Sequence, residues 1–198
     1  MLIEEQIAAR QERARTAVLN LTATPRGGAY GDYTVKAASG KLYRVALRGP
    51  GLFENYCSCP DFAVNTLGTC KHIEALLQRL RQRYGRRFDS QRYRRTRASL
   101  SLHYGENLAV RLRLPAQPAP ALQAVAAEYC DAEGLLRREC FPRFARLLEE
   151  LRKLDATTVV YSDVLDFIDR ENELAEGIEE ERRQVARLEK GKLPLQGL

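Results

Sequence analysis

Long apolar runs are missing from this 198-residue chain. None approaches the roughly 18 residues that cross a bilayer, which excludes a membrane-spanning helix. The N-terminal stretch MLIEEQIAARQERARTAVLNL lacks the apolar core of a secretory signal, because charges recur through it at helical spacing. A cytoplasmic location is therefore expected. The chain has no G-x-x-x-x-G-K-[ST] phosphate loop: Gly40–Lys41 and Gly191–Lys192 are each followed by leucine, and no acidic motor box of the DEAH type is present. ATP hydrolysis is not expected. With no nucleophile–base pair or carboxylate constellation either, the chain reads as non-enzymatic. Histidine occurs only twice and cysteine five times.

Those scarce residues are crowded together. ENYCSCPDFAVNTLGTCKHIEALL, from Glu54 to Leu77, holds three of the five cysteines and one of the two histidines. The order is C-x-C-x10-C-x-H, namely Cys57, Cys59, Cys70 and His72. In a reducing compartment such a cluster fits a metal better than disulfides, and C-x-C with C-x-H fits chelation better than the C-x-x-C redox motif. Structural zinc takes four thiolate or imidazole ligands in a closed tetrahedron. Two cysteines at i and i+2 on an extended segment point to the same side. The second pair needs a different geometry, with Cys70 just before a helix and His72 in its first turn. A zinc-stapled module of about 60 residues would have a marginal core of its own, and structural zinc supplies about 10 kcal/mol to such a unit. One structural zinc ion, with no open coordination position, is the expected cofactor. Cys130 and Cys140 are expected to be ordinary core residues, and His103 a surface residue of a hairpin.

At 44% hydrophobic and 29% charged residues the composition is globular, and the length suits one or two small domains. The fold class expected is α+β. Residues 3–22 read as an amphipathic helix. YTVKA and LYRVAL, 33–37 and 42–47, alternate as a hairpin around ASGK, and GPG at 49–51 breaks its second strand. Ile73, Leu76, Leu77, Leu80 and Tyr84 form one helical stripe after the ligand loop. SLSLHYGENLAVRLRL, 99–114, reads as a second hairpin turning at YGEN, and PAQPAP as a stiff connector. Residues 122–139 read either as a helix or as a strand ending in a DAEG turn. A helix over 141–154, a short strand at 157–161 and a long helix from Ser162 to about Lys190 follow. The last carries a seam of Val164, Phe167, Glu171, Leu174, Ile178, Glu181, Val185 and Leu188. Its first turns are expected to pack on the second domain and its later turns to meet something else. The domain limits expected are 1–29 for an N-terminal helix, 30–84 for the finger, 85–97 for a basic linker, 98–162 for an α+β domain and 163–198 for the acidic helix.

YCSCPDF followed by CKH and an apolar helix, with the preceding hairpin YTVKAASGKLYRVAL, resembles the SWIM zinc finger and its β-β-α layout. The resemblance covers about residues 30–80 and implies that Cys57, Cys59, Cys70 and His72 are the zinc ligands. SWIM modules are proposed to bind DNA or proteins. They occur in bacterial Swi/Snf-type helicase-like ATPases, in transposase-related proteins and in ubiquitin-pathway proteins. The segment after the finger, down to KGKLPLQGL, is similar to the region between finger and ATPase core in the Swi/Snf-like group. On that resemblance the chain would be the N-terminal part of a longer enzyme, or a relative without its motor.

Net charge is +6 but unevenly spread. Between Arg79 and Arg97 stand nine arginines and one acid, while Asp163 to Glu189 carry ten acids and four arginines. Arg79, Arg83, Arg86, Arg87, Arg92, Arg94, Arg95 and Arg97 are candidate phosphate contacts. Phe88 and Tyr93 are candidate stacking platforms for unpaired bases. Tyr84 falls on the apolar stripe and is expected in the core. Three readings stay open for the segment: contact with nucleic acid (DNA foremost), pairing with the acidic helix or a partner, and a solvated linker. For the chain as a whole the alternative to nucleic-acid binding is a protein-interaction module. A downstream ATPase domain or another protein would then meet the acidic helix.

Overall fold

The computed structural model describes residues 2–17, 20–23, 29–88 and 94–191. The mixed α+β architecture expected is what is found, with two small sheets and a long C-terminal helix. Helix α1 (Ile3–Arg15) is shorter than the periodicity suggested. It ends at Arg15, and Asn20–Ala23 form strand β1 instead of a continuing helix. The stretch around it is rich in β-branched residues (Thr16, Val18, Thr22), which lose rotamer freedom in a helix. A strand also has a partner to gain, since β1 pairs antiparallel with β2 (Gly31–Lys36).

The first hairpin stands as expected, with β2 running antiparallel to β3 (Leu42–Leu47) around residues 37–41. Beyond Gly49 and Gly51 the chain returns as β4 (Tyr56–Cys57), which pairs with β3 through Val45 opposite Cys57 and Ala46 opposite Tyr56. The sheet order is β1-β2-β3-β4. Two helices complete this half, α2 (Pro60–Val64) and α3 (Lys71–Tyr84), with a 3-10 turn over Gly85–Phe88. The apolar stripe of α3 lies inward: Ile73, Leu76, Leu77 and Leu80 are buried with Val35, Val45 and Leu47 of the sheet, and Tyr84 packs at the edge. Helix α1 joins the same core through Ala14, and Arg10 grips Asp61 of α2 with Nη2 at 2.7 Å and Nε at 3.3 Å.

The second half is built on β5 (Ser99–Tyr104) and β6 (Leu108–Arg113), the hairpin expected at 99–114. Residues 120–129 resolve the ambiguity in favour of helix α4 (Pro120–Tyr129), with proline at its first turn, where its missing N–H is no loss. The DAEG turn is real but follows a helix. Asp131 Oδ1 accepts from the N–H groups of Glu133 and Leu135, and Gly134 adopts φ +79°. A 3-10 segment, Arg138–Arg143, precedes α5 (Phe144–Leu154), so the helix expected from 141 starts three residues later. Val159–Val160 form β7, which pairs in parallel with β5, and α6 runs from Ser162 to Gly191. Leu100, Val110, Tyr129, Leu147, Leu151 and Val164 centre this second core, and it also encloses Cys130 and Cys140 as small apolar fillers. No described helix is long and apolar enough to cross a membrane.

His103 stands in the hairpin as expected, but half-buried. Its ring lies 5.0 Å from that of Phe53, and its Nδ1 is buried without a hydrogen-bond partner. Phe53 sits at φ +66°, and its ring meets β5 at His103. Burial, with Arg111 and Arg113 nearby, holds the His103 pKa below its ordinary value.

Candidate metal centre

The ligand loop is shaped by backbone chemistry before any metal is considered. Cys59 is extended (φ −80°, ψ 153°) and caps α2, its Sγ accepting from the Phe62 N–H at 3.4 Å while Pro60 opens the helix. Asn65 then folds the loop back. Its Oδ1 accepts from Leu67 N–H at 2.9 Å, and its Nδ2 donates to the Thr69 carbonyl at 3.2 Å. Gly68 follows at φ +65°, and a Cβ there would lie 2.8 Å from the Phe53 backbone. Only glycine takes both the conformation and the approach. Thr69 is buried and donates to Glu74 Oε1 at 2.7 Å, which anchors the entry to α3. Cys70 is the extended N-cap of α3 (φ −152°, ψ 170°), so His72 falls in the first turn. That is the arrangement the C-x-H spacing required.

All four side chains are buried, and their ligand atoms lie within 4.8 Å of one another. Cys57 Sγ is 3.9 Å from His72 Nδ1. Tetrahedral bonds of about 2.3 Å to sulfur and about 2.0 to 2.1 Å to nitrogen place such a pair roughly 3.6 Å apart, so the set is close to closure. The His72 ring leans on Tyr43, with centroids 4.7 Å apart, and its Nε2 is buried without a hydrogen-bond partner. The thiols also conflict electrostatically. Cys57 is pushed up by hydrogen bonding with Cys59 and Cys70 and by burial. Cys59 is pulled down by hydrogen bonding with Cys57 and Cys70. Cys70, drawn down by Cys57 but pushed up by Cys59 and burial, stands at about 12. Three buried thiols cannot all ionise without a cation, and a dication removes that conflict. The donor set therefore fits one zinc ion held by Cys57, Cys59, Cys70 and His72. With four protein ligands the ion serves the fold and leaves no place for a substrate.

The arginine segment is only partly described. Arg79, Arg81 and Arg83 are exposed on α3, the last with its guanidinium 5.6 Å from the Tyr84 ring. Arg94 and Arg97 are exposed. The side chains of Arg86 and Arg87, and Arg92 and Tyr93 altogether, lie outside the described residues. Two candidates need correction. Phe88 is 7% exposed and stacks on Tyr30 with centroids 5.4 Å apart, so its ring belongs to the core and is not a base platform. Arg95 is turned inward, donating to Ser99 Oγ at 3.0 Å and facing Glu54 at 3.5 Å.

Sequence reasoning missed the charges that join the two halves. Glu54, 6% exposed, receives Arg95 and also Arg113, the latter at 2.7 Å. A Cβ at Gly49 or Gly51 would collide with its carboxylate, so GPG is a cradle as well as a strand breaker. Arg48, 4% exposed, donates from Nη2 to both carboxylate oxygens of Asp163 at 2.8 and 2.9 Å. The acidic helix meets other arginines at Arg138–Glu171, 3.5 Å, and within itself at Arg183–Glu179, 3.5 Å. No local pattern announces the Arg48–Asp163, Arg95–Glu54 and Arg113–Glu54 pairs, whose members are far apart along the chain.

Residues 43–81 match the family model of the SWIM zinc finger, a stretch that contains most of β3, β4, α2, most of α3 and all four ligands. No curated protein and no solved structure matches the chain. The family match and the buried Cys3His set together support a zinc-binding module of the SWIM type, which is a binding module and not a catalytic one.

Proposed function

We propose that the chain is the nucleic-acid-binding accessory part of a Swi/Snf-type helicase-like ATPase, with DNA its first ligand. The observation that carries this reading is the arginine face of α3. The zinc ligands fix the start of this helix and its apolar stripe is buried, so Arg79 and Arg83, one turn apart, stand exposed together on one flank of α3 as a preset surface, with Arg81 exposed on the other flank. Such a surface neutralises backbone phosphates and releases counterions without reading sequence.

Fluorescence anisotropy with single- and double-stranded DNA across a salt series tests it. Wild type should bind with strong salt dependence. Arg79→Glu with Arg83→Glu should weaken binding and lower the slope of log affinity against log salt by about 1.4 on single strands, two contacts at roughly 0.7 each. Absence of binding by wild type even at low salt refutes the reading.

One observation favours a second reading, a protein-interaction module. On α6, Leu174, Ile178, Val185 and Leu188 are 52–70% exposed along one seam, beyond the turns that Val164, Phe167 and Ile168 bury. A protein partner or a downstream ATPase domain docking there would cover that seam. Loss of such docking in Leu174→Glu with Ile178→Glu, with DNA binding absent in wild type, would favour it.

A further inference from the structure

Where the two halves meet, a cleft of about 380 Å³ opens between the ends of β2 and β3, residues 94–99 and the β7–α6 junction. Four arginines line it, Arg48, Arg94, Arg95 and Arg97, together with the hydroxyls of Thr96 and Ser99. Asp32 is the one acid among the lining residues, and Arg44 holds it at 3.2 Å. Arg48 is the unusual member. Its guanidinium is fixed by Asp163 on one nitrogen and by the Tyr161 ring, 4.3 Å from its carbon, yet its Nε and Nη1 are buried with no hydrogen-bond partner. A guanidinium carries five N–H donors in a rigid plane, and leaving charged donors unmet in a protein interior is costly. Fixed planar donors with further cations and hydroxyls around them are the recognition chemistry of a tetrahedral oxyanion.

We propose that this cleft is a phosphate-binding site. Arg48 forms its preset floor, and Arg94 and Arg97 form its exposed rim. The group it takes is a phosphate diester or monoester, and the backbone of a nucleic acid supplies one if the binding function above holds. The assignment rests on that reading only for the source of the phosphate, since the site itself is built from Arg48 and its neighbours. It also gives the finger and the second half a joint role: Arg48 directly follows β3, before the zinc loop, and Arg94 and Arg97 come from the segment entering β5.

The test uses the zinc-loaded full chain. In a thermal-melting arm, inorganic pyrophosphate should raise the midpoint of wild type above that in sodium chloride of matched ionic strength. Arg94→Ala with Arg97→Ala changes two exposed side chains and should abolish the difference. Arg48→Lys keeps a cation for Asp163 but loses the planar donors, and should reduce the difference as well. In an oligonucleotide arm, the Arg94/Arg97 variant should lower the single-strand salt slope by about 0.7 per phosphate released from the cleft. Protection lost with the slope also lowered identifies the nucleic-acid backbone as the source. Protection lost with the slope unchanged, or with no oligonucleotide binding at all, identifies a free phosphate compound. Pyrophosphate protection that is absent in wild type, or retained in both variants, overturns the site whatever the oligonucleotide arm gives.

Discussion

Removing the metal is the most severe perturbation the structure predicts. A structural zinc in a small module contributes about 10 kcal/mol at neutral pH, as much as the whole stability of a typical domain. In the first half it has a limited core to support it, the cluster of β2, β3 and α3 with Phe62 and Ala14. Chelation, Cys59→Ser or His72→Ala should therefore unfold residues 30–85, with α1 released from α3. The serine variant also loses the Sγ cap of α2. Acid should do the same by a route whose sign is fixed. Metal-bound thiols have their pKa depressed in the folded state, so their contribution is fully present above the unfolded thiol value near 8.5 and is lost as pH falls. Three thiols at about 1.4 kcal/mol per pH unit each give about 4 kcal/mol per unit, and the histidine adds to this below about 6.5. A zinc contribution of about 10 kcal/mol at pH 7 is then exhausted near pH 5. Zinc content by elemental analysis, far-ultraviolet circular dichroism and mapped limited proteolysis follow the transition. The second half, with its own core, should survive as a resistant fragment beginning near residue 94. A never-chelated preparation without stoichiometric zinc, or a chelated one whose dichroism and proteolysis match wild type, would refute the reasoning.

Three substitutions probe the surrounding structure. Gly68→Ala forces a side chain into the left-handed region against the Phe53 backbone and should cost about 2 kcal/mol, with weaker zinc retention in a competition with a chromogenic chelator. Leu147→Ala empties a fully buried position of the second core and should cost about 3 kcal/mol in urea denaturation, while the zinc content stays at one ion. Glu54→Gln leaves Arg95 and Arg113 facing each other with no carboxylate between them. It should cost about 3 kcal/mol, the low end for a broken buried ion pair because Arg113 is partly wet. An unchanged denaturation midpoint in that variant would show that the junction charges do not hold the halves together.

The parts of the molecule legible in the sequence are those whose determinants are local. A period-two pattern around ASGK sufficed for β2 and β3, and a stripe at Ile73, Leu76, Leu77 and Leu80 for α3. The ligand site was legible for the same reason, since the C-x-H spacing dictates that Cys70 precede the helix and His72 enter it, as they do. Strand β1 was not legible, because Asn20–Ala23 become a strand only when the open edge of β2 is there to pair with. Phe88 looked like a base platform among arginines, yet the ring is claimed by Tyr30, far back along the chain. His103 is half-buried because the Phe53 ring, from the loop after β3, leans on it.

The long-range charges explain how the helix that carries the acidic surface acquires a direction. Asp163 stands in the first turn of α6, where a helix N-terminus favours an anion, and it receives both Arg48 and the Tyr104 hydroxyl. Burial and the Asp163 charge push the Tyr104 pKa up, which keeps its hydroxyl a donor. One carboxylate is thus shared by the residue that follows β3 in the first half, a strand of the second and the dipole of the helix itself. Arg48 and Asp163 are 115 residues apart, and neither position is unusual for its neighbourhood: an arginine at a strand end and an aspartate at a helix start are common surface residues. Their meaning comes from the meeting of the two cores. The partly buried Tyr104, packed against both clusters, lies at that same junction. Unfolding the zinc module would therefore remove Arg48 from Asp163, so loss of metal should be felt at the start of α6 although every ligand lies in the other half.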